Sequence, residues 1–311
     1  MDFTGGITFT GGLSVTPQPP PPSSKAIFGY GLGAGLYSLT NLVSNTGVVA
    51  TDTTGVGTAR QNLAAAGYGT DKAIFGYGQP SGMTNVTNLV SNTGVVATDT
   101  AGVGTARRFL AAAGYGSDKA IFGYGGPDGG YYSITNLVSN TGVVGNDVTG
   151  VGTGRFGLTA TGYGTNKAIF GYGFNGSVMT STTNLVSNTG VVATDTAGVG
   201  TARYQLAAAV YGTDKAIFGY GTTAQVTGLS MTNLVSNTGV VATDTIGVGT
   251  TRWGLAAAGY GVDTAIFGYG YTGTVSVSVT NLVSNTGVVA TDTTGVGTTR
   301  SQLSAASYGL S

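Results

Sequence analysis

The residues able to do chemistry are few, and most of them recur at a fixed period. The chain has no His and no Cys, and its 12 acidic residues are all Asp. Without His, a Ser-His-Asp or Cys-His nucleophile system is impossible, as is a His-bearing zinc site. A carboxylate pair for acid–base work remains conceivable. Yet Asp52, Asp99, Asp147, Asp195, Asp244 and Asp292 share one position of a repeat, and Asp71, Asp118, Asp214 and Asp263 share another, held by Asn166 in the fourth copy. Arg60, Arg107, Arg155, Arg203, Arg252 and Arg300 recur with them. A charge repeated in every copy reads as structural, each Asp pairing with the recurring Arg between units. A catalytic site normally breaks symmetry, and among the charges only Asp2, Asp128 and Arg108 do so. A hydrolase would have Asp128 alone to build on, so the expectation is a non-enzymatic protein without metal or cofactor. Gly-Tyr-Gly-Thr-Asp has the wrong period for a calcium-binding nonapeptide. The Gly-x-Gly strings precede no helical pattern, which argues against a dinucleotide site.

Elements that could position these residues must be short strands. The 311 residues include 57 Gly, with only 8% charged and a net charge of zero. Gly, Thr, Val and Tyr favour strands and tight turns over helices. A neutral chain offers no basic patch to nucleic acid or to an anionic membrane. There is no run of 18 apolar residues to cross a bilayer as a helix. The first residues lack the basic and apolar regions of a Sec-type signal.

Ala-Ile-Phe-Gly-Tyr-Gly begins at Ala26, Ala73, Ala120, Ala168, Ala216 and Ala265, at intervals of 47, 47, 48, 48 and 49 residues. Thr-Asn-Leu-Val-Ser-Asn follows each time, from Thr40, Thr87, Thr135, Thr183, Thr232 and Thr280. Within one unit the pattern predicts four strands, at 63–68, 72–77, 87–90 and 94–98. The first, rich in Ala and Gly, suits the crowded axis of a propeller. A solenoid of stacked β-coils is the alternative. Ends decide between them. Residues 300–311 supply a first strand with no second after it, and Lys25 opens a second strand with no first before it. Pairing these fragments would close a ring and remove an open sheet edge. The expected fold class is therefore all-β: a six-bladed β-propeller with four-stranded blades, closed by the C-terminal innermost strand. It would span residues 25–311, with residues 1–24 as a separate N-terminal segment.

The unit Arg-x-x-Leu-Ala-Ala-Ala-Gly-Tyr-Gly-x-Asp-Lys-Ala-Ile-Phe-Gly-Tyr-Gly resembles the kelch repeat over about 285 residues. It departs from the kelch pattern in having Gly-Tyr-Gly for adjacent glycines, and Val and Thr for the later Tyr and Trp. The resemblance implies a propeller closed by its C-terminal strand, and little about function. The copper site of galactose oxidase, a kelch propeller, needs His and Cys that this chain lacks.

Copies differ mainly in two places. One is the segment after Gly-Tyr-Gly, at 32–39, 79–86, 126–134, 174–182, 222–231 and 271–279. The other is the pair after the closing Arg, whose first member is Gln61, Arg108, Phe156, Tyr204, Trp253 or Ser301. Strand parity places both on one face, with the near-invariant Gly-Thr-Asp and Ser-Asn-Thr-Gly turns on the other. The variable face would display Trp253, Tyr204, Phe156, Tyr131, Tyr132, Tyr271 and Phe174, beside Arg108 and Asp128. Loop aromatics suit recognition; relaxed drift of tolerant loops is the competing reading. At the N-terminus, Phe3, Ile7, Phe9 and Leu13 lie in a Gly-rich β-prone segment followed by a Pro-rich spacer. That segment reads either as an anchor adding to a partner's sheet or as a disordered tail. Near-identical repeats with a short anchor look like a virion accessory or receptor-binding protein of a bacteriophage. Its partners would be another virion or assembly protein, through residues 1–24, and a cell-surface glycan or receptor. It would reside on a virion or an extracellular assembly. A purely structural tile of a fibre, capsid decoration or surface layer is the alternative.

Overall fold

The computed structural model describes residues 24–224 and 227–309, and they contain strands and no helix. The strands are β1 (Lys25–Leu32) and β2 (Leu36–Val43); β3 (Ala64–Tyr68), β4 (Lys72–Gly76) and β5 (Thr87–Val90); β6 (Ala111–Tyr115), β7 (Lys119–Gly123) and β8 (Thr135–Val138); β9 (Thr159–Tyr163), β10 (Lys167–Gly171) and β11 (Thr183–Val186); β12 (Ala207–Tyr211), β13 (Lys215–Gly219) and β14 (Thr232–Val235); β15 (Ala256–Tyr260), β16 (Thr264–Tyr271) and β17 (Ser276–Val283); and β18 (Ser304–Tyr308). They form six three-stranded antiparallel sheets, an arrangement consistent with a six-bladed propeller. Five sheets are built from consecutive strands. The remaining one has the order β18-β1-β2, with Lys25 opposite Tyr308 and Gly29 opposite Ser304.

Three of the four strands expected per unit are present; the fourth is not a regular strand. Residues 94–100 meet β5 only at the bridges Val90–Val96 and Thr87–Thr100. Between those bridges three outer residues (97–99) face two inner ones (88–89), so the outer segment carries a one-residue bulge. The bulge turns Asp99 inward, where the Asn88 side chain donates to it at 2.9 Å. The other five units repeat both bridges.

Each sheet is joined to the next by the same set of contacts. Just after β4 the backbone at Tyr77 takes φ 64°, a left-handed conformation costly for an aromatic residue. It turns the ring into the junction, where Phe122 of the next sheet packs with centroids 5.1 Å apart. The Phe122 ring also lies over Gly76, where an added Cβ would come within 2.8 Å of it; only Gly fits there. The Tyr77 hydroxyl donates to the Val103 carbonyl at 3.1 Å. Arg107 then covers the other side of Tyr77, its guanidinium carbon 4.3 Å from the ring centre. This Arg is fully buried. Its Nε donates to the Tyr124 carbonyl at 2.8 Å, its Nη1 to the Thr105 carbonyl at 3.0 Å and its Nη2 to Asn136 Oδ1 at 2.7 Å. A buried guanidinium is tolerable only when its donors are so occupied.

Between the sixth sheet and the first the contacts are the same. Phe28 packs on Tyr269 at 5.2 Å, and Arg300 stacks on Tyr269 at 4.4 Å while donating to the Tyr30 carbonyl and Asn41. The inner strands β3, β6, β9, β12, β15 and β18 each touch the next in turn, and β18 touches β3. Their Ala residues are buried around the axis, as their small size led us to expect.

The recurring Asp residues do sit between units, but their Arg contacts are long. Among the described residues, five Arg–Asp pairs lie at 3.8–4.0 Å. Shorter bonds come from Thr and Asn: Thr105 Oγ1 donates to Asp147 at 2.6 Å and Asn136 Nδ2 at 2.9 Å. Partial desolvation pushes the Asp147 carboxyl upward. Hydrogen bonds from Thr105 and Asn136, with the Arg107 charge, outweigh it and hold the group below its usual value. The other five are lowered in the same way. The second Asp series ties the two invariant turns together, as where Asn237 Nδ2 donates to Asp214 at 3.0 Å.

Two outcomes are expected. Replacing Arg155 by Met strands the Asn184 and Tyr172 acceptors and should lower unfolding free energy by about 3–5 kcal/mol in a denaturant titration; Arg155→Lys should recover little, lacking the planar fork. Because the six Asp values are depressed on folding, their contribution is present above the unfolded value of about 4 and is lost as pH falls through the folded values. The urea midpoint should therefore be flat from about pH 7 to about pH 5 and drop below about pH 4.

Candidate functional site

Both variable segments of every unit lie together, as strand parity requires. Isolated bridges join Leu32 to Ser301, Gln61 to Gln79, Arg108 to Gly126, Phe156 to Phe174, Tyr204 to Thr222 and Trp253 to Tyr271. The invariant turns meet one another on the opposite side. There Gly69 donates to the Asp118 carbonyl at 2.7 Å, and a Cβ on Gly69 would come within 2.9 Å of the Asn140 carbonyl. Ser24, the first described residue, pairs with Gly261 on this invariant side. Residues 1–23, with Phe3, Ile7, Phe9 and Leu13, lie outside the described residues.

The aromatic residues of the variable face divide into two groups. Phe109, Tyr131, Phe156, Phe174 and Tyr204 form one connected cluster spanning three sheets. Tyr131 stacks on Phe156 with centroids 5.3 Å apart and planes at 15°, and Phe156 meets Phe109 at 5.2 Å, Phe174 at 5.6 Å and Tyr204 at 6.3 Å. Trp253 and Tyr271 make a separate edge-on pair at 5.2 Å. Tyr131, Tyr132, Phe156, Phe174 and Tyr271 are partly exposed. Tyr204 and Trp253 are not displayed as the sequence suggested: they are 2% and 6% exposed. Parity gives the face of a residue and not its depth: the Trp253 ring packs on Tyr271 of the loop bridged to it, whereas the Tyr204 ring packs on Phe156 and Phe174 of the preceding unit. Arg108 pairs with the exposed Asp128, donates to Gln79 and lies 5.3 Å over the Phe109 ring. The two symmetry-breaking charges therefore neutralise one another at the edge of the aromatic cluster.

Sequence reasoning missed the second residue after each Arg. Asn62, Phe109, Gly157, Gln205, Gly254 and Gln302 form a continuous ring of backbone hydrogen bonds at the axis. Asn62 donates to Gln302 at 2.9 Å, Gln302 to Gly254 at 2.6 Å, Gly254 to Gln205 at 2.9 Å, Gln205 to Gly157 at 2.6 Å, Gly157 to Phe109 at 2.9 Å and Phe109 to Asn62 at 2.9 Å. All six have positive φ, from 53° to 61°. Gly takes that conformation freely, whereas a non-Gly residue pays about 1 kcal/mol or more. Gly157 and Gly254 are the trace of this constraint in the sequence; Phe and Gln disguise it in the other copies.

The ring surrounds a cavity of about 110 Å³ whose lining includes the four side-chain-bearing ring residues and Leu63, Leu110, Leu158, Leu206, Leu255 and Leu303. At the other end of the axis a second cavity of about 290 Å³ opens among Thr70, Ser117, Thr165, Lys72, Lys119 and Lys167. Both cavities are lined by Ala65, Ala112, Ala160, Ala208, Ala257 and Ala305, which separate them at mid-axis. No group of three or more metal-ligating side chains occurs among the described residues. Comparison of the sequence with protein-family models and with curated proteins finds no match.

Replacing Trp253 by Ala should remove a buried ring and cost about 3–5 kcal/mol in unfolding free energy, a loss measurable by thermal or chemical denaturation.

Proposed function

We propose that this chain is a closed, kelch-like, six-bladed propeller that acts as a non-enzymatic recognition module, binding a receptor or glycan through its variable face. The observation that carries this reading is the partly exposed aromatic cluster of Tyr131, Phe156 and Phe174, made from the segments in which copies differ. Such surfaces give large contact area at low entropic cost. Closure is supported by six equivalent Arg–Tyr junctions and by the axial hydrogen-bond ring. Attachment of residues 1–23 at Ser24, on the invariant side, suits a tether opposite the recognition face. A virion or other extracellular assembly, of the bacteriophage type, is the setting this division of labour fits, with an assembly protein held by the N-terminal segment.

The alternative, a structural tile, is favoured by a different observation. Val48, Val95, Val143, Val191, Val240 and Val288 stand 65–66% exposed, one on each invariant Ser-Asn-Thr-Gly turn. Six equivalent apolar contacts would match a partner of the same symmetry.

The test separates the two. The double variant Tyr131→Ala/Phe174→Ala should lose binding in a glycan array or cell-adhesion assay while remaining folded by circular dichroism. Unchanged binding sinks the recognition reading. Loss of assembly in Val95→Ser/Val191→Ser, with binding intact, would instead assign the valine ring to tiling.

A further inference from the structure

We infer that the axial mouth on the variable face is a binding site for a single uncharged, hydroxyl-rich ring, the terminal sugar residue of a neutral glycan. This rests on the reading of that face as a recognition surface and gives it a location and a ligand class.

Three observations converge on it. First, none of the residues lining the 110 Å³ cavity is charged, which disfavours an ionic ligand. What the lining offers is the amides of Asn62, Gln205 and Gln302, the Phe109 ring and a collar of leucines. A pyranose has this dual character, with hydroxyls at its edge and an apolar C–H face that stacks on aromatic rings. Second, the Oε1 of Gln205 is closed off from solvent and accepts no hydrogen bond from any described residue. A buried acceptor left unmatched is costly, and a rotation of the Gln205 side chain toward the cavity would bring that oxygen to a ligand hydroxyl. Third, the backbone here demands positive φ, and two units meet the demand with Gly157 and Gly254. Four others keep Asn62, Phe109, Gln205 and Gln302 in the same conformation at 53–55°. Asn tolerates this region; Phe and Gln do so only under constraint. Side chains kept at four of the six places around the cavity, where glycine serves at the other two, point to a use for those side chains.

The two glycines also shape the opening. Gln205 stands between Gly157 and Gly254 in the hydrogen-bonded ring, with Asn62 across the axis from it. At Gly157 the Tyr204 ring fills the space, 2.9 Å from where a Cβ would stand, so the rim is lowered on the Gly254 side of Gln205. Gln302 leans toward that gap, its Cγ 3.3 Å from where a Gly254 Cβ would stand. Phe109 faces Gly254 across the axis and continues into the cluster through Phe156. A terminal sugar seated at the axis would leave the next residue of a glycan over Tyr131 and Phe156.

The experiment uses the full chain and the triple variant N62G/Q205G/Q302G. Glycine relieves the strained φ at all three positions, so the variant should fold with a melting temperature equal to or above that of the parent. Ligand-observed saturation-transfer NMR would be run with free D-glucose, D-galactose, D-mannose and N-acetyl-D-glucosamine. The same four would be presented as termini of immobilised neutral oligosaccharides. Binding of one of them by the parent, weakened at least about tenfold in the folded variant, is the expected result. With no titratable group in the lining, affinity should stay flat between about pH 5 and about pH 9. Binding of the immobilised form alone, still lost in the variant, also supports the inference and adds the aromatic cluster as the neighbouring subsite. Binding of none of the four, or equal binding by the triple variant, overturns it. If the triple variant binds normally while Tyr131→Ala/Phe174→Ala does not, the recognition face stands and only its axial site is refuted.

Discussion

Everything in this fold depends on a guanidinium that has been taken out of water. Each of the six Arg residues is fully buried, stacked on the Tyr of one sheet and hydrogen-bonded to the next. Burial pulls the Arg value below its ordinary range, while the neighbouring Tyr and Asp hold it up. The same burial pushes the Tyr phenols up, Tyr124 and Tyr269 to about 12. A positive charge so placed is tolerable only while all its acceptors are in position. Those acceptors are the carbonyl of the left-handed Tyr, the Thr carbonyl two residues before the Arg, and the Asn that follows in the sheet. The Arg thereby joins consecutive sheets in the same way each time, and the contact between the sixth sheet and the first repeats the other five.

With the junctions so held, the chain can be economical elsewhere. The inner strands need only small residues, because backbone hydrogen bonds and packed Phe–Tyr pairs already hold the sheets. Low charge content follows naturally. Most charged groups belong to the recurring Arg, Asp and Lys positions, and the asymmetric pair Arg108–Asp128 is neutralised on the variable face.

Much of this was legible in the chain and some was not. The number of units, the first three strands of each and the gathering of Ala64–Ala66 and its counterparts at the axis follow from repeat spacing and side-chain size. So does the grouping of Gln61 with Gln79 and Phe156 with Phe174 on one face, since strand parity requires it. The fourth strand did not follow. Residues 94–98 have strand-forming types, but a one-residue bulge beside Asp99 breaks their ladder, and a bulge leaves no mark when the bulged residue is not Gly. The burial of Tyr204 and Trp253 was equally hidden, because depth depends on which neighbouring rings each packs against. The axial ring was visible only through Gly157 and Gly254, whose shared position with Gln205 goes unremarked until the backbone angles are seen.

That ring separates frame from lettering. Gly, Asn, Gln and Phe occupy its six places with nearly the same backbone angle, so the identity of one side chain is decoupled from the geometry beneath it. The rim behaves like a short dial of six independently settable characters. Changing one alters what a visitor on the axis would meet without asking any strand to move. Because the hydrogen bonds run one way around the circle, each unit donating to the one before, the dial has a fixed sense of rotation. Two rims with the same letters in opposite order would therefore be different surfaces.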